Sequence, residues 1–320
     1  MFTDILQAIS EYETVIIHRH SRPDGDALGS QIGMKHILLE NFPGKAVYAV
    51  GDDARFFSFM EDSQMDDIPD SVYSGALAII LDTAASHLIS DDRYKLAAKR
   101  VRLDHHIFCE NIAEHEVVDT SFESCCGLVT QFAVESGLKI NPLAAKSLYT
   151  GMVTDSGRFR YDGTTARTFR LASKLMEAGI DTNALFRDLY ADDFESKKLK
   201  ASFILKIQFT PDNVAYIYTD RAEFDSMGLD TFTVSRAMVN TMADIKGVSI
   251  WVNFTETAQG VLCELRSNKY NINPIAVKYG GGGHQKASGA TVPDRETAMA
   301  MLSDLEAIVR GEGETVWVEK

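Results

Sequence analysis

Short runs of branched apolar residues alternate with stretches of helical periodicity through the first half of the chain, and nothing else constrains the fold as strongly. Thr14–His20 (TVIIHRH), Ala46–Gly51, Ala76–Asp82 (ALAIILD) and Arg100–His105 (RVRLDH) have the length and composition of strands. Helices are predicted over Ala27–Glu40, Gly127–Ser136, Pro142–Met152 and Ala166–Ala178, with Gly179 as the C′ glycine of the last. Strands separated by helices pair in parallel through crossovers. The expectation is therefore an α/β fold, a mostly parallel sheet with helices on both faces.

The composition shifts from about Asp188. YADDFESKKLKASFIL is charge-dense at helical spacing and reads as a linker helix over 188–203. It separates a first domain, 1–187, from a smaller α/β domain, 204–311, with a tail at 312–320. The smaller domain has strand candidates Val214–Thr219, Val248–Thr255 and Gly260–Ser267, a glycine run at Gly280–Gly283, and a final helix near Glu296–Val309.

Acidic and histidine residues gather where predicted strands end or helices meet loops. The first strand runs into HSRPDGDALGS, giving His20, Asp24 and Asp26; the third stops at Asp82. The fourth is followed by Asp104, His105 and His106, and the helix from Pro142 runs into VTDSGRF with Asp155. Ligands of open α/β sheets bind beyond the strand carboxyl ends, so these places can converge. A metal pair would draw them together. Carboxylates with a minority of imidazoles suit a hard-to-borderline ion such as Mn²⁺, and the lack of thiolate ligands argues against structural zinc. Asp82, alone at its strand end, is the natural bridge. The turn forced by Pro23 and Gly25 lets Asp24 and Asp26 point to different ions, and Gly29 and Ser30 would admit a phosphate at the helix start.

HSRPDGD, LDT, DHH and VTDSGRF, in this order, resemble the motifs of the DHH phosphoesterase superfamily. The later GGGGHQKASGA, with ELRS upstream, resembles the signature of the C-terminal substrate domain of its nucleotide-cleaving members. The resemblance implies two Mn²⁺ ions, with Mg²⁺ or Co²⁺ as substitutes, in a cleft between the domains. His20, Asp24 and Asp82 would bind one ion; Asp26, Asp82, His105 and Asp155 the other. Asp82, Asp104, His105 and His106 would form the catalytic group, with Asp104 orienting His105 and His106 either supporting the ligands from behind or facing phosphate. Arg266 and Ser267 would hold a substrate phosphate, while Gly281, Gly282, Gly283 and His284 would close over the nucleotide. Where relatives carry a run of Ser and Thr, this chain has SFESCCG, so Ser124 is left out; Ser288 replaces a common alanine.

Within the superfamily, chain length, the lack of a sensory or membrane domain, PDGDALGS and the GGGGH run favour the nano-RNase/pAp-phosphatase branch. Its members cut short oligonucleotides to mononucleotides and remove the 3′-phosphate of pAp. A cyclic di-AMP or pApA phosphodiesterase would need little change in the motifs. A family II pyrophosphatase has no use for a glycine-His loop that grips a nucleoside. A non-catalytic nucleotide-binding regulator is the reading from a different class, and the complete set of ligands speaks against it.

Simpler roles suit other residues. Asp26 can be a helix cap. His18 reads as a satisfied buried imidazole, and His36, His87 and His115 as ordinary helix or loop residues. Cys125, Cys126, Trp251 and Phe254 read as core, and Glu61–Asp67 as a solvated face. The 46 acidic residues against 32 basic ones, a net −14, oppose binding of long duplex nucleic acid but leave room for short single-stranded oligonucleotides and nucleotides. No apolar run approaches the ~18 residues of a membrane span. MFTDILQAISEYE lacks the basic and apolar regions of a leader, and the four cysteines form no CxxC pair. A cytoplasmic location without membrane partners is expected, and a homodimer is allowed for.

Overall fold

The computed structural model describes residues 1–54 and 57–312. The chain divides after Ala191 into two compact units. The first comprises α1 (Thr3–Glu11), β1 (Thr14–His18), α2 (Gly25–Asn41), β2 (Ala46–Ala49), β3 (Leu77–Leu81), β4 (Lys99–Asp104), β5 (His115–Val118), α3 (Cys125–Glu135), α4 (Pro142–Asp155), α5 (Ala166–Glu177) and α6 (Thr182–Tyr190). Its sheet has the order β2-β1-β3-β4-β5, with every pairing parallel. The central strand β3, LAIIL, is buried at every position, as a parallel strand covered on both faces must be.

Helical cover is unequal. Val15, Ile17, Ile79, Leu81 and Leu103 pack in one core with apolar side chains of α1–α5. The opposite face, with Ile16, Ala78 and Ile80, is covered by short 3₁₀ turns carrying Tyr73 and Tyr94, because the described residues of the connections around β3 form no α-helix. On the helical side α2 and α4 approach closely. A Cβ on Gly151 of α4 would run into Cys126 Sγ and lie 2.9 Å from Asp26 Oδ1, so only glycine lets α4 lie against α2 and α3 there.

The stretch 188–203, expected as one helix, is broken. α6 ends at Tyr190, and Asp193 caps the next helix, α7 (Phe194–Leu205), by accepting from the Ser196 amide. The second unit continues with β6 (Gln208–Phe209), β7 (Ala215–Thr219), α8 (Arg221–Met227), β8 (Ile250–Thr257), β9 (Gly260–Ser267), α9 (Asn273–Lys278), β10 (Gly282–His284), β11 (Ala287–Val292) and α10 (Arg295–Arg310). The mixed sheet runs β10-β11-β9-β8-β7-β6. Phe254 packs on one face with Met301 and Leu305 of α10, and Trp251 on the other with Phe203 of α7. Gly282 and Gly283 of the glycine run thus belong to an edge strand, and Gly280 and Gly281 lie in the connection before it. The tail expected at 312–320 lies, beyond Glu312, outside the described residues. Among the described residues, no helix is long and apolar enough to cross a membrane.

Candidate active site

The order 2-1-3-4-5 puts the reversal of strand order between β1 and β3, the place where such sheets leave a crevice beyond their carboxyl ends. His20 lies two residues past β1, Asp82 immediately past β3, and His105 immediately past β4. Asp26 stands on the first turn of α2 and Asp155 ends α4. His105 Nε2 lies 3.4 Å from Asp82 Oδ1 and 3.6 Å from both Asp26 Oδ2 and Asp155 Oδ2. His20 Nε2 lies 3.5 Å from Asp82 Oδ2 and 3.8 Å from Asp24 Oδ1. Asp82 therefore turns one oxygen to each histidine.

Local structure fixes each carboxylate. Asp24, not Asp26, caps α2: its Oδ1 accepts from the amides of Asp26 and Ala27, both at 3.0 Å. Asp26 is 1% exposed and accepts from the amides of Cys125 and Cys126, at 2.7 and 2.8 Å, where α3 begins. The two cysteines are core residues, as expected, whose backbone also serves the site. Asp82 has φ +49°, a left-handed conformation that costs a non-glycine residue ~1–2 kcal/mol and recurs where function demands it. Gly29 and Ser30, expected to admit a phosphate, do not. A Cβ on Gly29 would meet the Ser147 carbonyl of α4, and buried Ser30 bonds to Ala27 O.

These donors fit a pair of divalent cations. Two atoms bound to one ion at ~2.1 Å and roughly at right angles or wider stand ~3.0–3.5 Å apart, close to the spacings above. Asp82 Oδ1 is buried without a hydrogen-bond partner. Among the described residues, three groups could hold an ion: His20–Asp24–Asp82, Asp26–His105–Asp155 and Asp82–His105–His106, the last sharing a residue with each of the others. The charges say the same. Burial, then the nearby Asp82 and Asp155 charges, push Asp26 well above the carboxylate range. Burial also raises Asp155 to about 7, with Asp82 adding to the shift against the pull of His105. Burial opposes protonation of His20 and His105, but their carboxylate neighbours outweigh it and raise both to about 11. Burial resists ionisation of Asp82 too, yet the His105 and His20 imidazoles beside its two oxygens hold it well below its usual range. Without cations, protons fill their place.

The Asp104 expectation needs correcting. Its Oδ1 meets His106 Nδ1 at 2.8 Å, whereas His105 Nδ1 points to Phe122 O at 3.4 Å. A carboxylate at the end of β4 reaches the residue two ahead across the turn, not its neighbour. Burial disfavours the Asp104 charge, but bonds from His106 and Arg102 hold it below the usual carboxylate range. Sequence reasoning passed over Arg102 and Arg19, both fully buried. Arg19 donates to Gln31 Oε1, His20 O and Asp52 O, bracing the His20 loop. For Arg19 the available signal was an arginine just past an otherwise apolar strand; Arg102, in a strand that also holds Lys99 and Arg100, gave none.

Other histidines stay outside the cluster. His18 is buried as expected but not satisfied: neither ring nitrogen has a partner, the ring lies near Tyr73 and Tyr94, and burial lowers it to about 4. His36 is not solitary, since Nε2 meets Asp62 Oδ2 at 2.7 Å. That contact, and the ion pair of Asp66 with Lys35 at 2.7 Å, also give the acidic stretch 61–67 specific partners.

In the second unit, strand register brings two expected substrate residues together. His284 pairs with Ala287, which pairs with Arg266, so a row crosses β10, β11 and β9 on one sheet face with the small Ala287 in the middle. Two strand spacings separate Arg266 and His284, about 9–10 Å. Arg266 also lies 3.2 Å from Glu264 Oε2. Gly281 precedes β10, and a Cβ there would collide with the Gly289 carbonyl; Gly282 and Gly283 lie within the strand. Ser267 departs from expectation. Its hydroxyl donates to Ser249 O and accepts from the amides of Lys269 and Tyr270, which uses its bonding capacity in a turn.

A family model described as DHH family, N-terminal domain, matches residues 14–152, and one described as DHHA1 domain matches 230–311. The chain is 34% identical to the bifunctional oligoribonuclease and PAP phosphatase NrnA of Bacillus subtilis (strain 168), over 97% of this chain and 99% of that one. It is 37% identical to the probable bifunctional oligoribonuclease and PAP phosphatase NrnA of Streptococcus mutans serotype c, over 90% and 93%. The crystal structure of an exopolyphosphatase-related protein from Bacteroides fragilis has the same fold, with a TM-score of 0.84 at 24% identity over 97% of each chain.

Proposed function

Since this chain belongs to the DHH family, we propose that it is a metal-dependent phosphohydrolase that degrades short oligonucleotides to mononucleotides and removes the 3′-phosphate of pAp. The observation that carries this reading is the sharing of Asp82 between two histidine-carboxylate groups, the arrangement a two-ion phosphoesterase needs. The substrate class follows the names of the two NrnA relatives. His20, Asp24 and Asp82 would hold one ion, and Asp26, Asp82, His105 and Asp155 the other. Mn²⁺ suits this set, mostly carboxylate with two imidazoles.

When bound, such a pair lowers the pKa of water and neutralises charge on phosphoryl oxygens. The chain's own residues do the rest. Asp26, gripped by the α3 amides, keeps its oxygens aimed at the cluster. His106, with Nδ1 given to Asp104, keeps Nε2 for a proton shared with a substrate oxygen. Arg266 and His284 offer a phosphate two donors from one sheet face. The cysteines are free thiols, and only Cys109 is exposed, which suits a reducing cytoplasm.

A panel of pAp, pApA, cyclic di-AMP, di- to pentanucleotides and pyrophosphate with Mn²⁺ tests the reading. Fastest turnover of short oligonucleotides and pAp is expected. Faster turnover of cyclic di-AMP or pyrophosphate would reassign the substrate, and tight nucleotide binding without turnover would make the protein a regulator.

A further inference from the structure

Arg102 is a charged side chain inside a buried strand, where an apolar residue would serve packing better, and it has no solvent exposure. Its guanidinium reaches three segments. Nη2 donates to Asp104 Oδ2 at 2.5 Å and to Ala84 O at 3.2 Å, and Nη1 donates to Glu110 O at 3.0 Å. Glu116 Oε1 lies 3.7 Å away. Ala84 lies two residues beyond Asp82, and Glu110 four beyond His106. One side chain thus joins the loop after β3 to the end of β4 and to the middle of the loop that follows it. Asp104 continues the chain of bonds, since its other oxygen receives His106 Nδ1 at 2.8 Å and the His106 amide at 3.3 Å.

We propose that Arg102 is a positioning residue: acting through Asp104, it holds the His106 ring with Nδ1 turned inward and Nε2 left for the substrate. One carboxylate oxygen is tied to Arg102 and the other to His106, so the carboxylate plane, and with it the imidazole, cannot turn while the guanidinium stays in place. Only a planar fork reaches Asp104, Ala84 and Glu110 together; the single ammonium of a lysine does not. Had Arg102 served stability alone, its bond to Asp104 would have no reason to extend to a histidine of the site.

The kinetic part of this inference rests on the phosphohydrolase reading, which wild-type turnover tests by itself. The variants are Arg102→Met, Arg102→Lys, Asp104→Asn and the Arg102→Met/Asp104→Asn double. On a dinucleotide with Mn²⁺, Arg102→Met is expected to lower kcat ~10–100-fold, the usual effect of removing a group that orients a ligand, with KM little changed. Asp104→Asn should fall by a similar factor, and the double variant no further, because both changes cut one chain of bonds. The second measurement needs neither metal nor substrate. In metal-free protein the His106 Nδ1 proton should give a downfield imidazole resonance, assigned by its loss in His106→Gln, and Arg102→Met should shift or broaden it. Should Arg102→Met fail to fold, Arg102→Lys carries the test, with an intermediate kcat and the same displaced resonance. Multiplying losses in the double variant, or an unmoved His106 resonance beside a lowered Tm, would overturn the proposal and leave Arg102 as a brace of the fold.

Discussion

Asp82 concentrates the chemistry of the site in one side chain, with an oxygen toward each histidine. Asp82→Ala should lose at least ~10²-fold in kcat/KM and leave less than the full complement of bound ions by metal analysis. Full occupancy with normal turnover would remove Asp82 from its bridging place. His36→Ala, which breaks only the contact with Asp62, should leave the rate unchanged. Protons and cations compete for this cluster. Below pH 11 the metal-free His20 and His105 are largely protonated, and Asp155 gains its proton near pH 7. In that form the raised imidazoles support folding fully below their ordinary pKa of ~6.5, and the support fades as pH rises through about 11. Metal binding at neutral pH must expel those protons, so its enthalpy should vary with the ionisation enthalpy of the buffer. The acidic limb of activity should move to lower pH as Mn²⁺ is raised; a limb indifferent to metal concentration would mean another group titrates. The residues of this cluster were legible in the sequence because each stands where a strand or helix begins or ends. The partners of Asp104 and Asp26 were not, since they depend on how a turn folds back and on an amide pair about a hundred residues away.

At the scale of elements, the site depends on how closely α2, α3 and α4 approach. Gly151→Ala would push a methyl group into Cys126 and Asp26 together, displacing α4 with Asp155 at its end. A loss of ~1–3 kcal/mol is expected, read as a drop in Tm together with weaker metal binding. Gly44→Ala has open space around its Cβ and should do neither. A Gly151→Ala protein with unchanged Tm and metal affinity would show that the helices can yield there. The elements most legible in the sequence were those with strong internal patterns, such as β3 and the helix starting at Pro142. β10 and β11 escaped notice because their glycines, serines and alanines have no strand propensity of their own. Pairing with β9 across the sheet makes them strands.

For the whole molecule, the proposed function would divide the work between the two units, with the proposed metal ligands in the first and Arg266 and His284 in the second. Arg266→Ala and His284→Ala should both bind Mn²⁺ normally and lose ~10²-fold in kcat/KM on dinucleotides. Bis-p-nitrophenyl phosphate, with no nucleoside to grip, should suffer less. Equal losses on both substrates would place these side chains at the reacting phosphorus, and no loss would make the row across β10, β11 and β9 structural only.

The placing of the ligands along the chain also sets an order of assembly during synthesis. Asp82 completes one ligand group, but Asp26 and His105 wait for Asp155. From His20 to Asp155 is 135 residues (155 − 20), roughly 7–27 s at the ~5–20 residues per second of a working ribosome. Over that interval the nascent chain carries acidic groups whose neighbours have not yet emerged. Once α4 is out, every proposed metal ligand exists, while Arg266 and His284 are still untranslated. Synthesis halted between Ala191 and Arg266 would release a chain with all its proposed cation ligands and neither of the side chains proposed to hold its substrate.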